Sequence, residues 1–304
     1  MSSLIEQAAQ RLEQLRQAGV LAPEVSAPER PAAAPVVAFK AEPAMAPEAP
    51  QAAEPVTTSR RVDLDQMALQ AAGIVTPNAP RSQLADQFRV IKRPLLANAA
   101  GKGASTLNHG NLIMVTSALP GEGKTFTAVN LAMSIATELD HTVMLVDADV
   151  ARPSVLSVLG LQPSPGLLDL LDGSAQMADV LLRTNVDKLS ILPSGTPHAR
   201  ATELLASDAM RQLLDDMAKR YTDRIIIFDS PPLLLTTESR VLATQMGQVV
   251  MVVQAEKTLQ SDVEHALSTI ESCPVRLMVL NQARADAKAN YGYGYGYGYA
   301  KQPV

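Results

Sequence analysis

The feature that most constrains this chain is a short loop that joins an apolar segment to a helical one. It reads Ala-Leu-Pro-Gly-Glu-Gly-Lys-Thr over residues 118–125. Gly121 and Gly123 let the backbone approach an anion closely, and the N–H groups of a helix that begins near Lys124 add positive potential. Lys124 would neutralise the charge of β- and γ-phosphates, and the Thr125 hydroxyl would coordinate Mg²⁺. The sequence therefore predicts that the chain binds ATP, or a close relative, together with Mg²⁺.

The loop departs from the usual G-x-x-x-x-G-K-[ST] pattern at its first position, which is Ala118 instead of glycine. The residues expected to bind ATP are Ala118, Gly121, Glu122, Gly123, Lys124 and Thr125.

Acidic residues follow two other apolar segments. Asp147 and Asp149 come directly after Val143–Val146, and Asp229 comes directly after Ile225–Phe228. Carboxylates at i and i+2 of an extended backbone point the same way, here toward the crevice at the carboxyl edge of a sheet. One of them can order Mg²⁺ and its waters while the other accepts a proton from an attacking hydroxyl. An acidic residue that closes a buried strand is the arrangement that holds Mg²⁺ in phosphate-loop proteins. The predicted catalytic residues are Lys124, Asp147, Asp149 and Asp229, and the predicted metal-binding residues are Thr125, Asp147 and Asp229.

Short apolar segments alternate with helical stretches from Asn111 onward. Their Ile/Val/Leu/Met-rich, non-alternating character favours parallel strands that are covered on both faces. Such alternation over some 170 residues predicts an α/β fold of the P-loop NTPase type, a doubly wound, mainly parallel sheet flanked by helices. The candidate strands are Leu112–Thr116, Val143–Val146, Leu189–Leu192, Ile225–Phe228, Val249–Val253 and Leu277–Leu280.

The chain divides into four segments by composition. We expect an amphipathic helix in residues 1–20, a disordered Pro/Ala-rich linker over 21–61, a P-loop domain over 62–284, and a disordered Tyr-rich tail over 285–304. Within the domain, residues 62–100 form a helical lead-in, with a helix that we expect to end at Pro94.

Net charge, cysteine count and the length of the apolar runs limit the partners and the location that we expect for this chain. A net charge of −5 argues against nucleic acid held by overall attraction. Cys273 is the only cysteine, so no intramolecular disulfide can form, which fits a reducing cytoplasm. No apolar run approaches the ~20 residues that span a bilayer, and the N-terminus lacks a signal-peptide core. We expect a cytoplasmic protein, and if it works at a membrane, a partner must hold it there.

The loop, the D-x-D motif at Asp147 and the Asp229-Ser-Pro-Pro232 motif are followed by a tail in which tyrosine alternates with glycine. Taken in order, these motifs resemble the bacterial tyrosine kinases of the CpsD/CapB type, which share ancestry with MinD/ParA ATPases. The resemblance covers residues 80–300 and is greatest to the XrtA-associated exopolysaccharide tyrosine autokinases. It implies an ATP-dependent autokinase that phosphorylates its own tail in trans and regulates exopolysaccharide synthesis or export. The tyrosines that it marks for autophosphorylation are Tyr291, Tyr293, Tyr295, Tyr297 and Tyr299.

The same resemblance implies a homo-oligomer and a membrane-bound chain-length-determinant protein as activator. Asp86, Arg89 and Lys92 line up with the family's E-x-x-R-x-x-R oligomerisation motif, and their spacing places them on one helical face. An ordinary solvated charged face is the competing interpretation. The family's D-x-D-x-R pattern is broken, because Ala151 stands where the arginine is expected and Arg152 follows it. The family's membrane-spanning activator segment is also missing, as in members whose activator is a separate polypeptide.

Two other functions stay open on the sequence. One is a MinD/ParA-like ATPase that acts as a nucleotide-switched positioning protein, although such proteins carry a second lysine early in the loop, where this chain has Ala118-Leu-Pro120. The other is an ATP-gated scaffold whose tail binds partners without being modified.

Overall fold

A computed structural model describes residues 59–103, 107–220 and 223–284. The predicted N-terminal helix, nearly all of the linker and the whole tyrosine tail lie outside the described residues. The expectations for these three segments stay predictions.

The described part of the chain is built on one sheet of eight strands in the order β1-β4-β5-β3-β6-β2-β7-β8. The strands are β1 (Arg61–Val62), β2 (Leu112–Ser117), β3 (Thr142–Asp147), β4 (Leu182–Thr184), β5 (Leu189–Leu192), β6 (Arg224–Asp229), β7 (Gln248–Gln254) and β8 (Val275–Asn281). All six predicted strands are confirmed within two residues at either end. They run parallel to one another, while β4 is antiparallel to β5 and pairs in parallel with β1. The mainly parallel sheet is thus confirmed, and the sequence analysis missed only the short strands β1 and β4.

Helices cover both faces of the sheet. They are α1 (Gln66–Ala71), α2 (Gln83–Ala99), α3 (Lys124–Ala136), α4 (Val155–Val158), α5 (Leu167–Leu171), α6 (Met177–Val180), α7 (Ala201–Leu205), α8 (Asp208–Arg220), α9 (Thr237–Ala243) and α10 (Gln260–Ser268). Helices α1 to α4 pack with one apolar core, and α5 to α10 pack with the other. Burial on two faces is what makes these strands continuous apolar runs instead of alternating ones.

Helix α3 follows the phosphate-binding loop directly and is almost completely enclosed. Every residue from Thr127 to Ala136 is buried, including Asn130. The Asn130 side chain accepts a hydrogen bond from the Val75 N–H at 2.7 Å and donates one to the Phe126 carbonyl at 2.9 Å, so its burial leaves no amide group unpaired. The loop therefore precedes a helix that is fixed in the core.

Two sequence expectations are wrong in detail. Helix α2 does not end at Pro94 but continues to Ala99. Pro94 lies on the exposed side of the helix, where water can solvate the carbonyl that loses its N–H partner, and the next residue, Leu95, is fully buried. Strand β8 is not covered on both faces. Its burial alternates, and Met278 and Leu280 are 62% and 65% exposed, because β8 is the edge strand of the sheet.

In the described segments, no helix is both long enough and apolar enough to cross a membrane.

Candidate active site

The predicted site residues meet at the carboxyl edge of the sheet because three strands are neighbours. Strand β6 lies between β3 and β2, and Asp229 at the end of β6 is in register with Asp147 of β3 and with Val115 of β2. The loop after β2 and the D-x-D segment after β3 therefore face each other across Asp229. This is the position where open α/β sheets bind their ligands.

The phosphate-binding loop has the backbone conformation that its glycines allow. Gly121 and Gly123 have φ values of +84° and +93°, in the left-handed region that other residues rarely adopt. Helix α3 starts at Lys124, and no side chain of the described residues caps its N-terminus. Amide N–H groups at this helix end are thus left for an anion, and the helix dipole favours a negative charge there.

Lys124 forms an ion pair with Asp149. The Lys124 Nζ lies 2.7 Å from Asp149 Oδ2, and the side chains are 14% and 5% exposed. The second oxygen of Asp149 accepts a hydrogen bond from the Arg152 N–H at 3.2 Å. Asp149 is therefore held beside the loop, with its charge balanced by Lys124.

Asp147 holds the segment that follows the D-x-D motif. One of its oxygens accepts hydrogen bonds from the Ser154 and Val155 N–H groups, both at 3.0 Å, while Oδ1 is buried without a partner. Burial raises the pKa of Asp147 to about 6, the charge of Asp149 adds to the rise, and the two N–H groups oppose it.

Asp229 is the most deeply buried carboxyl group of the site. It is 0% exposed, and within the described part of the chain neither of its oxygens has a hydrogen-bond partner of good geometry, although the Thr125 hydroxyl is close enough to lower its pKa. Burial raises the pKa of Asp229 to about 7, and the nearby positive charge of Lys124 reduces the rise. Such a group needs either a proton or a cation to balance its charge.

The three unpartnered oxygens of Asp147 and Asp229 fit a divalent cation, because Mg²⁺ prefers oxygen ligands. Among the described residues, no cluster of three or more His, Cys, Asp or Glu side chains is placed to hold a metal ion by itself. A site of this class takes its remaining ligands from a hydroxyl group, water and the nucleotide phosphates. The Thr125 hydroxyl is at this site and lies 2.9 Å from the Ser154 hydroxyl.

A cavity of about 410 Å³ opens beside the ion pair. Lys124 and Asp149 lie on one side of it, and Arg152 lines it as well. Much of the remaining wall is apolar, formed by Pro120, Ala151, Pro231, Pro232 and Leu235. The sequence motifs include Pro231 and Pro232, but nothing in the sequence indicated that Leu235 or Ser154 would join the site.

Two predicted site residues are placed differently from the expectation. The Glu122 side chain is buried and faces Leu119 and Thr258, so only its backbone can contact phosphates. Lys92 does not share an exposed face with Asp86 and Arg89. Its side chain is 4% exposed and forms an ion pair with Glu138 at 2.6 Å.

Asp86 and Arg89 are exposed on α2 and form an ion pair with each other. Lys92 is a long side chain whose ammonium group reaches the end of α3, where it donates a hydrogen bond to the Ser134 carbonyl at 2.5 Å. This contact within the subunit explains why spacing alone placed Lys92 wrongly. An oligomerisation role stays a prediction for Asp86 and Arg89.

Comparisons with known proteins place this site in context. Residues 110–281 match a family model described as an AAA domain. The tyrosine-protein kinase YwqD of Bacillus subtilis is 29% identical over 205 residues, which are 67% of this chain and 83% of YwqD. The succinoglycan biosynthesis transport protein ExoP of Rhizobium meliloti is 31% identical over 214 residues, which are 68% of this chain but 26% of ExoP. The crystal structure of the VpsO kinase domain superposes with a TM-score of 0.53 at 28% identity, over 67% of this chain and 100% of that domain.

Proposed function

This chain belongs to the AAA domain family, and within it to the bacterial tyrosine kinases of the CpsD/CapB type. On this basis we propose that it transfers the γ-phosphoryl group of ATP to tyrosines of its own tail. The observation that carries the proposal is the apolar-walled cavity beside Lys124 and Asp149. A nucleotide switch needs the loop and the metal ligands. An acceptor cavity next to a carboxylate is what a kinase needs in addition.

Binding of ATP changes the partner of Lys124. In the structure its ammonium group is paired with Asp149 at 2.7 Å. The β- and γ-phosphates, cradled by the loop amides and the end of α3, carry more negative charge and attract Lys124 away from Asp149. The Asp149 carboxylate is then free to accept a proton.

The acceptor is a tyrosine hydroxyl in the cavity. Asp149 accepts the phenolic proton, the phenol oxygen forms a bond to the γ-phosphorus, and the bond from that phosphorus to the bridging oxygen breaks. ADP leaves with the electron pair of the broken bond. Lys124 and the loop amides stabilise the charge that spreads over the transferring group. Prolines and Leu235 offer the apolar surface on which an aromatic ring can pack.

Thr125, Asp147 and Asp229 would hold Mg²⁺ in this site. When bound, Mg²⁺ would supply positive charge that offsets the negative charge of the phosphates. Asp147 and Asp229 each carry a buried, unpartnered oxygen and a raised pKa, which supports this role. Arg152 lines the same cavity and is our candidate for the role of the arginine that is missing at Ala151.

The last described residues before the tail lie close to the phosphate-binding loop. The described chain ends at Arg284, and two residues earlier the Gln282 Nε2 donates a hydrogen bond to the Gly121 carbonyl at 3.2 Å. A flexible segment of some fifteen residues has an r.m.s. reach of roughly 20 Å, which allows delivery to a neighbouring subunit. We propose transfer in trans within a homo-oligomer that Asp86 and Arg89 help to form. The acceptors are Tyr291, Tyr293, Tyr295, Tyr297 and Tyr299.

The cellular process that we propose is the regulation of exopolysaccharide synthesis or export. The name of ExoP, a succinoglycan biosynthesis transport protein, supports this context. The partner would be a membrane-bound chain-length-determinant protein that activates the kinase and holds it at the inner membrane. Phosphate adds close to two negative charges per tyrosine, so a modified tail would repel its neighbours and favour disassembly.

The fate of the γ-phosphate separates this function from a switching ATPase. Purified protein is incubated with Mg²⁺ and γ-labelled ATP, with the cytoplasmic segment of the activator supplied, and the label in protein is compared with free phosphate. We expect label in protein, and none with Lys124→Met. Release of free phosphate without labelled protein would instead favour the MinD/ParA-like alternative.

A further inference from the structure

Glu122 places a carboxylate inside a loop that has to hold a triphosphate. The two groups have the same sign of charge, so the side chain must be turned away and satisfied elsewhere. Glu122 is 2% exposed. One of its oxygens accepts a hydrogen bond from the Leu119 N–H at 2.6 Å, across the tightest part of the loop.

The other carboxylate oxygen ties the loop to the turn that follows β7. It accepts a hydrogen bond from the Thr258 hydroxyl and a longer one, 3.4 Å, from the Gln254 N–H. All three donors to Glu122 are neutral groups. The carboxylate therefore joins the phosphate-binding loop to the turn after β7, although the two are separated by more than a hundred residues of chain.

The backbone of the same loop is held from the end of β8. Asn281 Nδ2 donates to the Glu122 carbonyl at 2.9 Å, and Gln282 Nε2 donates to the carbonyl of Gly121. Asn281 approaches so closely that a Cβ on Gly123 would lie 2.1 Å from its Nδ2. These bonds turn the two carbonyl groups toward the sheet edge and away from the place where phosphates would bind.

We propose that Glu122 is a positioning residue, which with Thr258 and Asn281 clamps the phosphate-binding loop to the ends of β7 and β8 and so presets its amides for phosphate. The inference rests on the proposed function only in taking ATP as the ligand of the loop. A loop that is already ordered loses less conformational entropy when it binds, so the clamp raises the affinity for the nucleotide.

The role of Glu122 is set by hydrogen bonds and not by its charge, which makes a conservative variant informative. In Glu122→Gln the amide oxygen can still accept from Leu119, and the NH₂ group can donate to the Thr258 hydroxyl. In Glu122→Ala all three hydrogen bonds to the carboxylate are lost. Thr258→Val removes the hydroxyl from the opposite side at nearly constant volume.

The test measures binding of a non-hydrolysable ATP analogue with Mg²⁺ by calorimetry, together with the melting temperature without nucleotide. We expect Glu122→Ala and Thr258→Val to weaken binding about tenfold or more, because each leaves a buried polar group without its partner. Glu122→Gln should stay within about threefold of the unmodified protein. Thr269→Val is the matched control, since that hydroxyl only donates to the Ala266 carbonyl of its own helix end, at 2.6 Å.

The affinities of these variants either support or overturn the positioning role of Glu122. If Glu122→Gln binds as weakly as Glu122→Ala, the charge itself is needed and the positioning role is wrong. Unchanged affinity for the ATP analogue in Thr258→Val also overturns the proposal. If Glu122→Ala does not fold, the affinity of Thr258→Val is sufficient to test the positioning role. Nucleotide binding is measured without any tyrosine acceptor, so a failure of the clamp and a failure of the kinase function are distinguishable.

Discussion

Buried carboxylates set the electrostatics of the candidate active site at the scale of single residues. Asp147 and Asp229 are enclosed, and their pKa values are raised to about 6 and about 7 because burial disfavours the charged form. Near neutral pH and without a cation, the site therefore holds negative charge that opposes folding. The same oxygens are the ones that a divalent cation would bind, so the cost is removed when the site is filled.

Asp229→Asn should stabilise the nucleotide-free protein, and the gain should depend on pH. The pKa of Asp229 rises from its ordinary value of 3.8 to about 7 on folding, so between these values the folded state binds more protons than the unfolded state. Stability from this group consequently falls as pH rises through that window. We expect the variant to gain ~4 kcal/mol of unfolding free energy at pH 8 and little near pH 4, as measured by urea denaturation.

The matched control for that change is Asp216→Asn, at an exposed position of α8. It should leave the unfolding free energy nearly the same at both pH values. Equal stability of Asp229→Asn and the unmodified protein at pH 8 would show that burial of Asp229 carries no electrostatic cost.

At the scale of elements, the sequence predicted what depends on local pattern and missed what depends on distant contacts. Six strands and the start of α3 follow from apolar runs and the glycine loop. Strands β1 and β4 have two and three residues, too few to show a period, and they exist because they pair with each other and with β5. The ion pair of Lys92 with Glu138 joins α2 to the segment after α3, and no local pattern encodes it.

The residues of the candidate site also divide into those that a local pattern predicts and those that depend on distant contacts. The loop, the D-x-D motif and Asp229 were found because strand-end motifs meet at one sheet edge. Thr258 and Asn281 were missed because neither belongs to a recognisable sequence motif. Each contacts the loop only in the folded chain, and each lies more than a hundred positions from it in sequence.

Lys92→Met should destabilise the fold, whereas Arg89→Ala should not. Lys92 loses a buried hydrogen bond to the Ser134 carbonyl and the ion pair with Glu138, for which we expect a loss of about 1–3 kcal/mol in urea denaturation. Arg93→Met, at the neighbouring exposed position, is the control and should change stability little.

Arg89→Ala removes only an exposed pair with Asp86, which contributes about 0.5 kcal/mol. If α2 forms a subunit contact, this variant should reduce the mass of the particle in light scattering while the fold stays intact. An unchanged mass for an oligomeric protein would remove Arg89 from the interface, and full stability of Lys92→Met would contradict its structural role.

At the scale of the whole molecule, the proposed function joins three parts of the chain. In that proposal the sheet edge supplies the nucleotide site, the cavity receives an aromatic acceptor, and the tail supplies tyrosines. Asn281 and Gln282, which hold the loop, lie just before the tail begins. The phosphate-binding loop thus lies beside the last described residues of the chain, which precede the tail in sequence.

The most direct test of the central claim is a phosphosite map of the tail by mass spectrometry. The full chain is incubated with ATP and Mg²⁺, with the activator's cytoplasmic segment supplied, and compared with Lys124→Met treated in the same way. A second arm mixes Lys124→Met with an active chain whose five tail tyrosines are phenylalanine.

We expect phosphotyrosine between Tyr291 and Tyr299 in the unmodified chain and none in Lys124→Met alone. We also expect the Lys124→Met tail to gain phosphate in the mixture, because in our proposal transfer occurs between subunits. A tail without phosphotyrosine in the unmodified chain, with ATP, Mg²⁺ and the activator segment all present, would contradict the claim that this protein is a tyrosine autokinase.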